Sequence, residues 1–238
     1  MSYNVYYMTL CIAALYDDGK GVAINADKLT QVQIKNEHNE DVILTRVERD
    51  DTDKIRMLTN DIALIAAGDG GWSDLLVEDI KRSIHPSQKF SNVLKTAVAI
   101  YHKHVEAKAV EQVLMPLGFS SLKDYLRHTT NYPPQTIEVI NKQLDDFRFP
   151  TDIAIAGKGE DGYEVHNIDW PGISQIARYG FTAVGKGQLL ALPMLSEKYY
   201  RTMSKAEVVK ILTEAKIAAE ADEEIVGKRT DWVFLPKG

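Results

Sequence analysis

A threonine near the start of the chain is the first residue that could do chemistry. Thr9 follows Met8 and begins the apolar run TLCIAALY, which is typical of a buried strand, and a turn and a second strand then lead to Asp27. If the residues before Thr9 are absent from the working protein, Thr9 carries both a nucleophilic hydroxyl and a base, its own α-amine. The unperturbed pKa of such an amine is about 7.7 to 8.0, which is close to neutral pH.

The residues before Thr9 decide whether that chemistry is available. Residues 1 to 8 are either a leader that is removed or, if translation begins at Met8, largely an artefact of the reading frame. In the second case, removal of the initiator methionine before a small residue exposes Thr9. The segment has no Lys or Arg before its apolar run and no clear cleavage site, so a secretion signal is not predicted.

Composition limits the classes of protein to which the chain could belong. Its 238 residues are 45% hydrophobic and 26% charged, which fits one globular domain over residues 1 to 238. The net charge of -6 leaves no basic surface for nucleic acid or an anionic membrane, and a cytoplasmic location is predicted. The single Cys11 excludes an internal disulfide and is predicted to be a packed thiol. No cofactor or metal is predicted.

Hydrophobic periodicity predicts strands at both ends of the chain and helices between them. Residues 9 to 16 and 21 to 27 predict an N-terminal hairpin, and Ile62 to Ala67 predicts a strongly apolar strand before two amphipathic helices. The polar stretch 31 to 53 is interpreted as an excursion with a hairpin or loop. Residues 115 to 148 are interpreted as an inserted helical lid or an elaborated connection.

The C-terminal part repeats the order of strands followed by helices. Three strands are predicted from TDIAIAG, GYEVHNID and SQIARYGFTAVG, and a helix from about Leu189 to Tyr200 has Pro193 in its first turn. Ser204 and Glu207 form a capping-box pattern that begins a further helix, and TDWVFL is a closing strand. This order favours helices packed on the outer faces of two antiparallel sheets.

The motifs in this order resemble the proteasome-type N-terminal-nucleophile hydrolases over nearly the whole chain outside the two excursions. The segments that carry the resemblance are MTLCIAA, KIRMLTNDIALIAAG, FTAVGKG and VGKRTDWVFL. The first of them is similar to the start of the Anbu (ancestral β-subunit) group. The resemblance implies an α+β fold, a four-layer αββα sandwich, and assembly into a homo-oligomer.

The resemblance also assigns roles to four residues. The nucleophile position falls on Thr9, the acid at the end of the second strand on Asp27, and the lysine on Lys54. A lysine cation near the nucleophile favours the alkoxide and lowers the pKa of the amine, and an aspartate keeps that lysine charged and oriented. Gly68 matches the position whose backbone N–H stabilises the oxyanion of the tetrahedral intermediate.

Two supporting positions depart from the family pattern. The family has Gly-Ser-Gly where this chain has Gly185, Lys186 and Gly187, so Lys186 is predicted to lower the pKa of the amine, to substitute for the serine, or to point elsewhere. The later Asp-x-x-Ser element falls on Glu223 and Val226, which keeps the acid and loses the hydroxyl.

The sequence therefore leaves three functions open. An N-terminal threonine peptidase or amidohydrolase would act on a peptide or small amide, with any unfoldase partner unknown. A non-catalytic scaffold subunit would keep Thr9 capped, and a transpeptidase or ligase would release the acyl group to an amine. Taken singly, Thr9 is an ordinary strand residue, Asp27 ends a strand, and Lys54 is one of several charges.

Overall fold

The computed structural model describes residues 3–7, 9–35, 41–48, 53–221 and 226–236. The protein has an α+β fold with two antiparallel sheets. The strands are β1 (Tyr3–Tyr7), β2 (Cys11–Tyr16), β3 (Gly21–Asp27), β4 (Leu29–Lys35), β5 (Asp41–Glu48), β6 (Ile55–Met57), β7 (Ile62–Asp69), β8 (Thr151–Lys158), β9 (Tyr163–Asp169), β10 (Ile173–Ile176), β11 (Phe181–Val184) and β12 (Thr230–Leu235). The α-helices are α1 (Gly70–Ser83), α2 (Phe90–Ala109), α3 (Leu122–His128), α4 (Pro134–Asp146), α5 (Gln188–Lys198) and α6 (Lys205–Ala219).

The predicted N-terminal hairpin is present and forms the centre of the smaller sheet. Its strands β2 and β3 pair from Cys11 with Ala26 to Tyr16 with Gly21. The order of this sheet is β11-β2-β3-β12, and the larger sheet has the order β10-β9-β8-β7-β1-β4-β5, with β6 paired to β7. The last strand therefore pairs with the end of β3, where Thr230 lies opposite Asp27.

Burial on both faces explains why β2 is apolar throughout. Cys11, Ala13 and Leu15 pack in the core between the two sheets. Ile12 and Ala14 point to the other face, where they pack with buried residues of α5 and α6. A strand covered on both sides has no position for a solvated side chain, so its sequence is a continuous apolar run.

The larger sheet is covered on its far side by α1 and α2. Leu64 of β7 and Ile153 of β8 pack there with Leu76 of α1 and Tyr101 of α2. The apolar faces that the sequence predicts for these helices therefore pack against a buried face of the sheet. Among the described residues, no helix has the length and apolar character needed to cross a membrane.

The prediction of one strand over SQIARYGFTAVG is wrong. The segment forms two strands in different sheets, β10 at the edge of the larger and β11 at the edge of the smaller. Gly180, with φ of 83°, makes the turn between them by donating its N–H to the carbonyl of Ala177 at 2.8 Å. A left-handed residue breaks a strand, and glycine adopts that conformation without a steric penalty.

The predicted position of Pro193 in the first turn of its helix is also wrong. The helix α5 begins at Gln188 because the Gly187 carbonyl accepts N–H groups from Leu190 and Ala191, each at 3.1 Å. Pro193 consequently lies inside the helix. By contrast, the capping box of α6 is confirmed, since Ser204 and Glu207 each bond the other's backbone N–H.

The two predicted excursions have different structures. In 31 to 53, the hairpin is the alternative that is present, because β4 and β5 pair and extend the larger sheet, although residues 36–40 and 49–52 lie outside the described residues. Residues 115 to 148 contain α3 and α4. These helices have a small apolar cluster of their own, made of Leu114, Phe119, Tyr125 and Ile140.

Candidate functional site

The carboxylate of Asp27 is the centre of a buried polar cluster at the end of β3. Its Oδ1 atom accepts the backbone N–H of Leu10 at 2.8 Å and the Nζ of Lys54 at 3.0 Å. Its Oδ2 atom accepts the backbone N–H groups of Gly227 at 2.9 Å and Leu29 at 3.1 Å. Four donors surround one carboxylate, which is the arrangement that a buried charge requires.

Lys54 is brought against Asp27 with no solvent between them. Both side chains have 0% exposed area in this ion pair. The Nζ of Lys54 also donates to the carbonyl of Leu29 at 2.7 Å, and the backbone carbonyl of Lys54 accepts from Ala66 of β7 at 3.3 Å. The lysine is therefore fixed by β7 through its backbone and by the start of β4 through its side chain.

Burial and hydrogen bonds act in opposite directions on the carboxyl of Asp27. Burial raises its pKa above the ordinary value, while the Lys54 ammonium and the N–H groups of Gly227 and Leu10 lower it. The neighbouring Cys11 is fully buried, and burial raises the pKa of its thiol above the usual range. A thiol that stays protonated is a packing group, as the sequence predicted.

Thr9 lies at the end of this cluster, one residue before the Leu10 amide that Asp27 holds. Its side chain is fully buried, and its Oγ1 atom has no hydrogen-bond partner among the described residues. Its carbonyl accepts the N–H of Gly187 at 3.3 Å. The peptide group between Thr9 and Leu10 is thus fixed through both its carbonyl and its N–H, whereas the Thr9 hydroxyl has no partner within the described part of the chain.

The turn after β11 passes so close to Thr9 that it requires glycine. Gly185 has a φ of 93°, and a Cβ atom there would lie 2.2 Å from the carbonyl oxygen of Thr9 and 3.1 Å from Cβ of Ala67. Between the two glycines, Lys186 is exposed at the surface. Of the second altered element, Glu223 lies outside the described residues, whereas Val226 is buried in the same apolar cluster as Leu10.

Gly68, the predicted oxyanion donor, lies in β7 of the larger sheet. It has a φ of 123°, and a Cβ atom there would lie 2.0 Å from the carbonyl oxygen of Pro150. Only glycine fits such a position. Gly68 pairs with Tyr7 in the adjacent strand β1, two residues before Thr9 in the chain.

The strand β1 lies between β7 and β4 in the larger sheet. Its backbone pairs Tyr6 with Asp69 of β7 on one side and with Gln31 of β4 on the other. Gln31 is fully buried, and neither atom of its amide group has a partner among the described residues. The segment before Thr9 therefore takes a place in the sheet where two strand edges would otherwise be unpaired.

A small cleft opens beside Lys54 on the α1 side of β7. An ion pair between Arg56 and Asp74, with 3.2 Å between Nη2 and Oδ1, lies in it. Its lining residues are Asp53, Lys54, Arg56, Ala66, Ser73, Asp74 and Val77. Within the described ranges, no group of three or more His, Cys, Asp or Glu side chains could hold a metal ion.

The sequence did not predict three parts of this site. Gly227 is separated from Asp27 by 200 residues, and no local pattern indicates that its N–H reaches the carboxylate. The pairing of β1 was likewise not predicted. The third part is Lys216, whose Nζ donates to the carbonyl of Gly227 at 2.9 Å. It had a visible signal, because it lies on the face of α6 that is otherwise apolar and is itself buried.

Comparison with known proteins bears on the C-terminal part of the chain. The sequence model of the proteasome subunit family matches residues 139–233, which run from within α4 into β12. The match supports a proteasome-type fold, and the nearer resemblance to the Anbu group stays a prediction. The matched range includes Gly185, Gly187 and Gly227, whereas Thr9 and Asp27 precede this range. No curated protein was found to match the chain.

Proposed function

We propose that this chain, whose C-terminal part matches proteasome subunits, is an N-terminal threonine peptidase or amidohydrolase. Thr9 would be the nucleophile, Asp27 and Lys54 its supporting pair, and Gly68 the oxyanion donor. We further propose that its sheets and helices form a four-layer αββα sandwich and that the chain works in a homo-oligomer, as its family resemblance implies. Lys186 is proposed to have no part in the reaction because it is exposed.

The main support for this function is the pair of contacts made by Oδ1 of Asp27. One oxygen atom holds Lys54 at 3.0 Å and the amide next to Thr9 at 2.8 Å. A buried lysine with a carboxylate partner needs a purpose, because an apolar pair of similar volume would be as stable or more stable. Activation of the adjacent hydroxyl is such a purpose, and the unpaired Oγ1 of Thr9 is the group to be activated.

The proposed reaction requires a free α-amine on Thr9. The amine takes the proton of the hydroxyl as Oγ1 attacks the amide carbonyl, and the oxyanion that forms lies against the Gly68 backbone. The proton then passes to the leaving amine as the C–N bond breaks, which leaves an acyl ester on Thr9. Water, deprotonated by the same amine, hydrolyses the ester and restores the hydroxyl.

A second candidate function rests on the observation that β1 is paired on both sides. While β1 bridges β7 and β4, Thr9 is joined to the preceding residue and its nitrogen is an amide. An amide nitrogen is not a base, so a chain in this state would be a non-catalytic subunit of the same fold. The two candidates thus differ in the covalent state of Thr9.

A labelling experiment distinguishes the two candidates. A peptide epoxyketone reacts with both the hydroxyl and the free amine of an N-terminal threonine, and it should label a variant that lacks residues 1–7 and has lost Met8. We expect a stoichiometric mass increase located at Thr9. The full chain that keeps its leader should not be labelled, and neither should the same shortened variant with Thr9→Ala.

Circular dichroism and size-exclusion chromatography of the shortened variant provide the control for folding. A shortened variant that is folded, begins at Thr9 and resists the epoxyketone would contradict the enzymatic proposal and favour the scaffold. Supplying an amine acceptor with a peptide substrate tests the ligase alternative, since joined product would then appear beside the hydrolysed one.

A further inference from the structure

A buried lysine outside the proposed catalytic set holds the segment that contacts Asp27. Lys216 lies on α6 among apolar residues such as Leu212 and Ala219, and its side chain is 6% exposed. Its Nζ donates to the carbonyls of Gly227 at 2.9 Å and Lys228 at 2.8 Å. The carboxylate of Glu220 is its third partner. Because an unpaired buried amine is costly, these carbonyls are held strongly.

The same segment, residues 227–229, is held from its other side by β5. The carboxylate of Glu48 accepts the backbone N–H groups of Lys228 and of Arg229, the latter at 3.1 Å. Lys216 therefore holds carbonyl groups of this segment while Glu48 holds its amides. Both the N–H and the C=O groups of its backbone are therefore hydrogen-bonded, which leaves the segment little freedom to shift.

Gly227 transmits this constraint to Asp27. Its N–H donates to Oδ2 of Asp27, and its backbone lies so close to β4 that a Cβ atom would be 2.9 Å from Cβ of Leu29. The second donor to Oδ2, the Leu29 amide, is only two residues from Asp27 in the chain. Gly227 is thus the donor to Oδ2 that comes from a distant element, and it fixes the carboxylate relative to α6.

We propose that Lys216 is a positioning residue for the carboxylate of Asp27 and acts through Gly227. If the segment shifts, Oδ2 loses a donor and the carboxylate rotates, so that Oδ1 no longer faces both Lys54 and the Leu10 amide. The catalytic consequence rests on the proposed function, whereas the positioning itself does not. The match to the proteasome subunit family includes Lys216 and Gly227.

The test replaces Lys216 by a side chain of similar length without donors. Lys216→Met is compared with Lys210→Met, which changes a lysine on the same helix whose side chain is 80% exposed. Residue-resolved amide hydrogen exchange is measured first. We expect the amides of Gly227, Leu10 and Leu29 to exchange about 10-fold faster in Lys216→Met, because all three bond the same carboxylate, and to be unchanged in Lys210→Met.

Labelling of Thr9 by the epoxyketone in the shortened variant is the second readout. We expect the rate to fall about 10-fold in Lys216→Met and to recover largely in Lys216→Arg, which keeps donors at this position. A carboxylate that loses an N–H donor has a higher pKa, so the acidic limb of the labelling rate should move to higher pH in Lys216→Met. If Lys216 only stabilised the fold, the acidic limb of the labelling rate would stay at the same pH.

Several results would overturn the inference. Faster exchange at Gly227 with no change at Leu10 and Leu29 would mean that Lys216 holds the segment but not the carboxylate. Unchanged exchange at all three amides would mean that it holds neither. If the shortened variant with Lys216 unchanged is not labelled at Thr9, the proposed function fails, and exchange at Leu10 and Leu29 still decides the positioning role. If Lys216→Met does not fold, Glu220→Gln should show the same pattern with smaller changes.

Discussion

Asp27 and Asp152 are both acids removed from solvent, but their surroundings differ. Asp27 is fully buried and has the Lys54 amine and three backbone N–H groups as partners. Asp152 is half-buried on β8, and its charged neighbour is a second acid, Asp169. Burial, reinforced by Asp169, raises the pKa of Asp152 to about 6.

The fold is built to hold Asp27 as a charged carboxylate, and it is not built to hold Asp152 in that form. At Asp27, burial is opposed by donors from four separate parts of the chain. At Asp152, burial and charge repulsion act in the same direction, so the neutral form is favoured. Stability measurements on matched variants can test this contrast directly.

The largest effect is expected from Asp27→Asn. The variant keeps the shape of the side chain but leaves Lys54 buried without a counter-charge, and it turns an amide NH₂ toward existing donors. We expect the free energy of unfolding to fall by about 3–5 kcal/mol at pH 7. Urea denaturation followed by circular dichroism measures it. A loss below about 1 kcal/mol would show that the buried ion pair contributes little to the fold.

The tight packing around Thr9 predicts the next effect. Gly185→Ala adds a Cβ atom 2.2 Å from the Thr9 carbonyl oxygen, at a φ of 93°. Gly118 has a similar φ of 89° and no atom within 4 Å of its Cβ position, so Gly118→Ala measures the backbone strain alone. We expect losses of about 1 kcal/mol for Gly118→Ala and about 2–4 kcal/mol for Gly185→Ala. Equal losses at the two glycines would exclude a close contact with Thr9.

The smallest effect, with the opposite sign, is expected from Asp152→Asn. The pKa of Asp152 is higher in the folded than in the unfolded chain, so the free energy of unfolding falls as the pH rises from the ordinary value of 3.8 to about 6 and is level above that. Asparagine stays neutral and avoids this loss. The variant should be more stable than the parent by about 1–3 kcal/mol at pH 8 and nearly equal to it at pH 4.

Denaturation of parent and variant at both pH values provides the measurement. A variant that is less stable than the parent at pH 8 would mean that the Asp152 charge has a favourable partner, and the contrast with Asp27 would fail.

The sequence predicted those features that local patterns encode. The continuous apolar run of β2, the β2–β3 hairpin and the capping box at Ser204 are all visible within a few residues, and each is present. The chemistry of Thr9, Asp27 and Lys54 was proposed from family resemblance. The structure brings Asp27 against Lys54 and holds the amide next to Thr9.

Long-range contacts and chain reversals could not be predicted in the same way. The split between β10 and β11 depends on a left-handed Gly180, and a glycine within a strand pattern has several interpretations. The contact from Gly227 to Asp27 joins positions 200 residues apart, which no periodicity reveals. The sequence does not predict the role of Lys216, because a lysine on a helix is usually solvated, although its place on the apolar face of α6 is a signal.

The proposed reaction requires Thr9 to be the first residue of the working protein, and the N-terminus of the protein purified from its native host shows whether it is. Intact mass and N-terminal sequencing should find a chain that begins at Thr9, with β1 absent. A chain that begins at Met1 in all of the purified material would rule out the threonine mechanism, because the nitrogen of Thr9 would then be an amide with no basic lone pair.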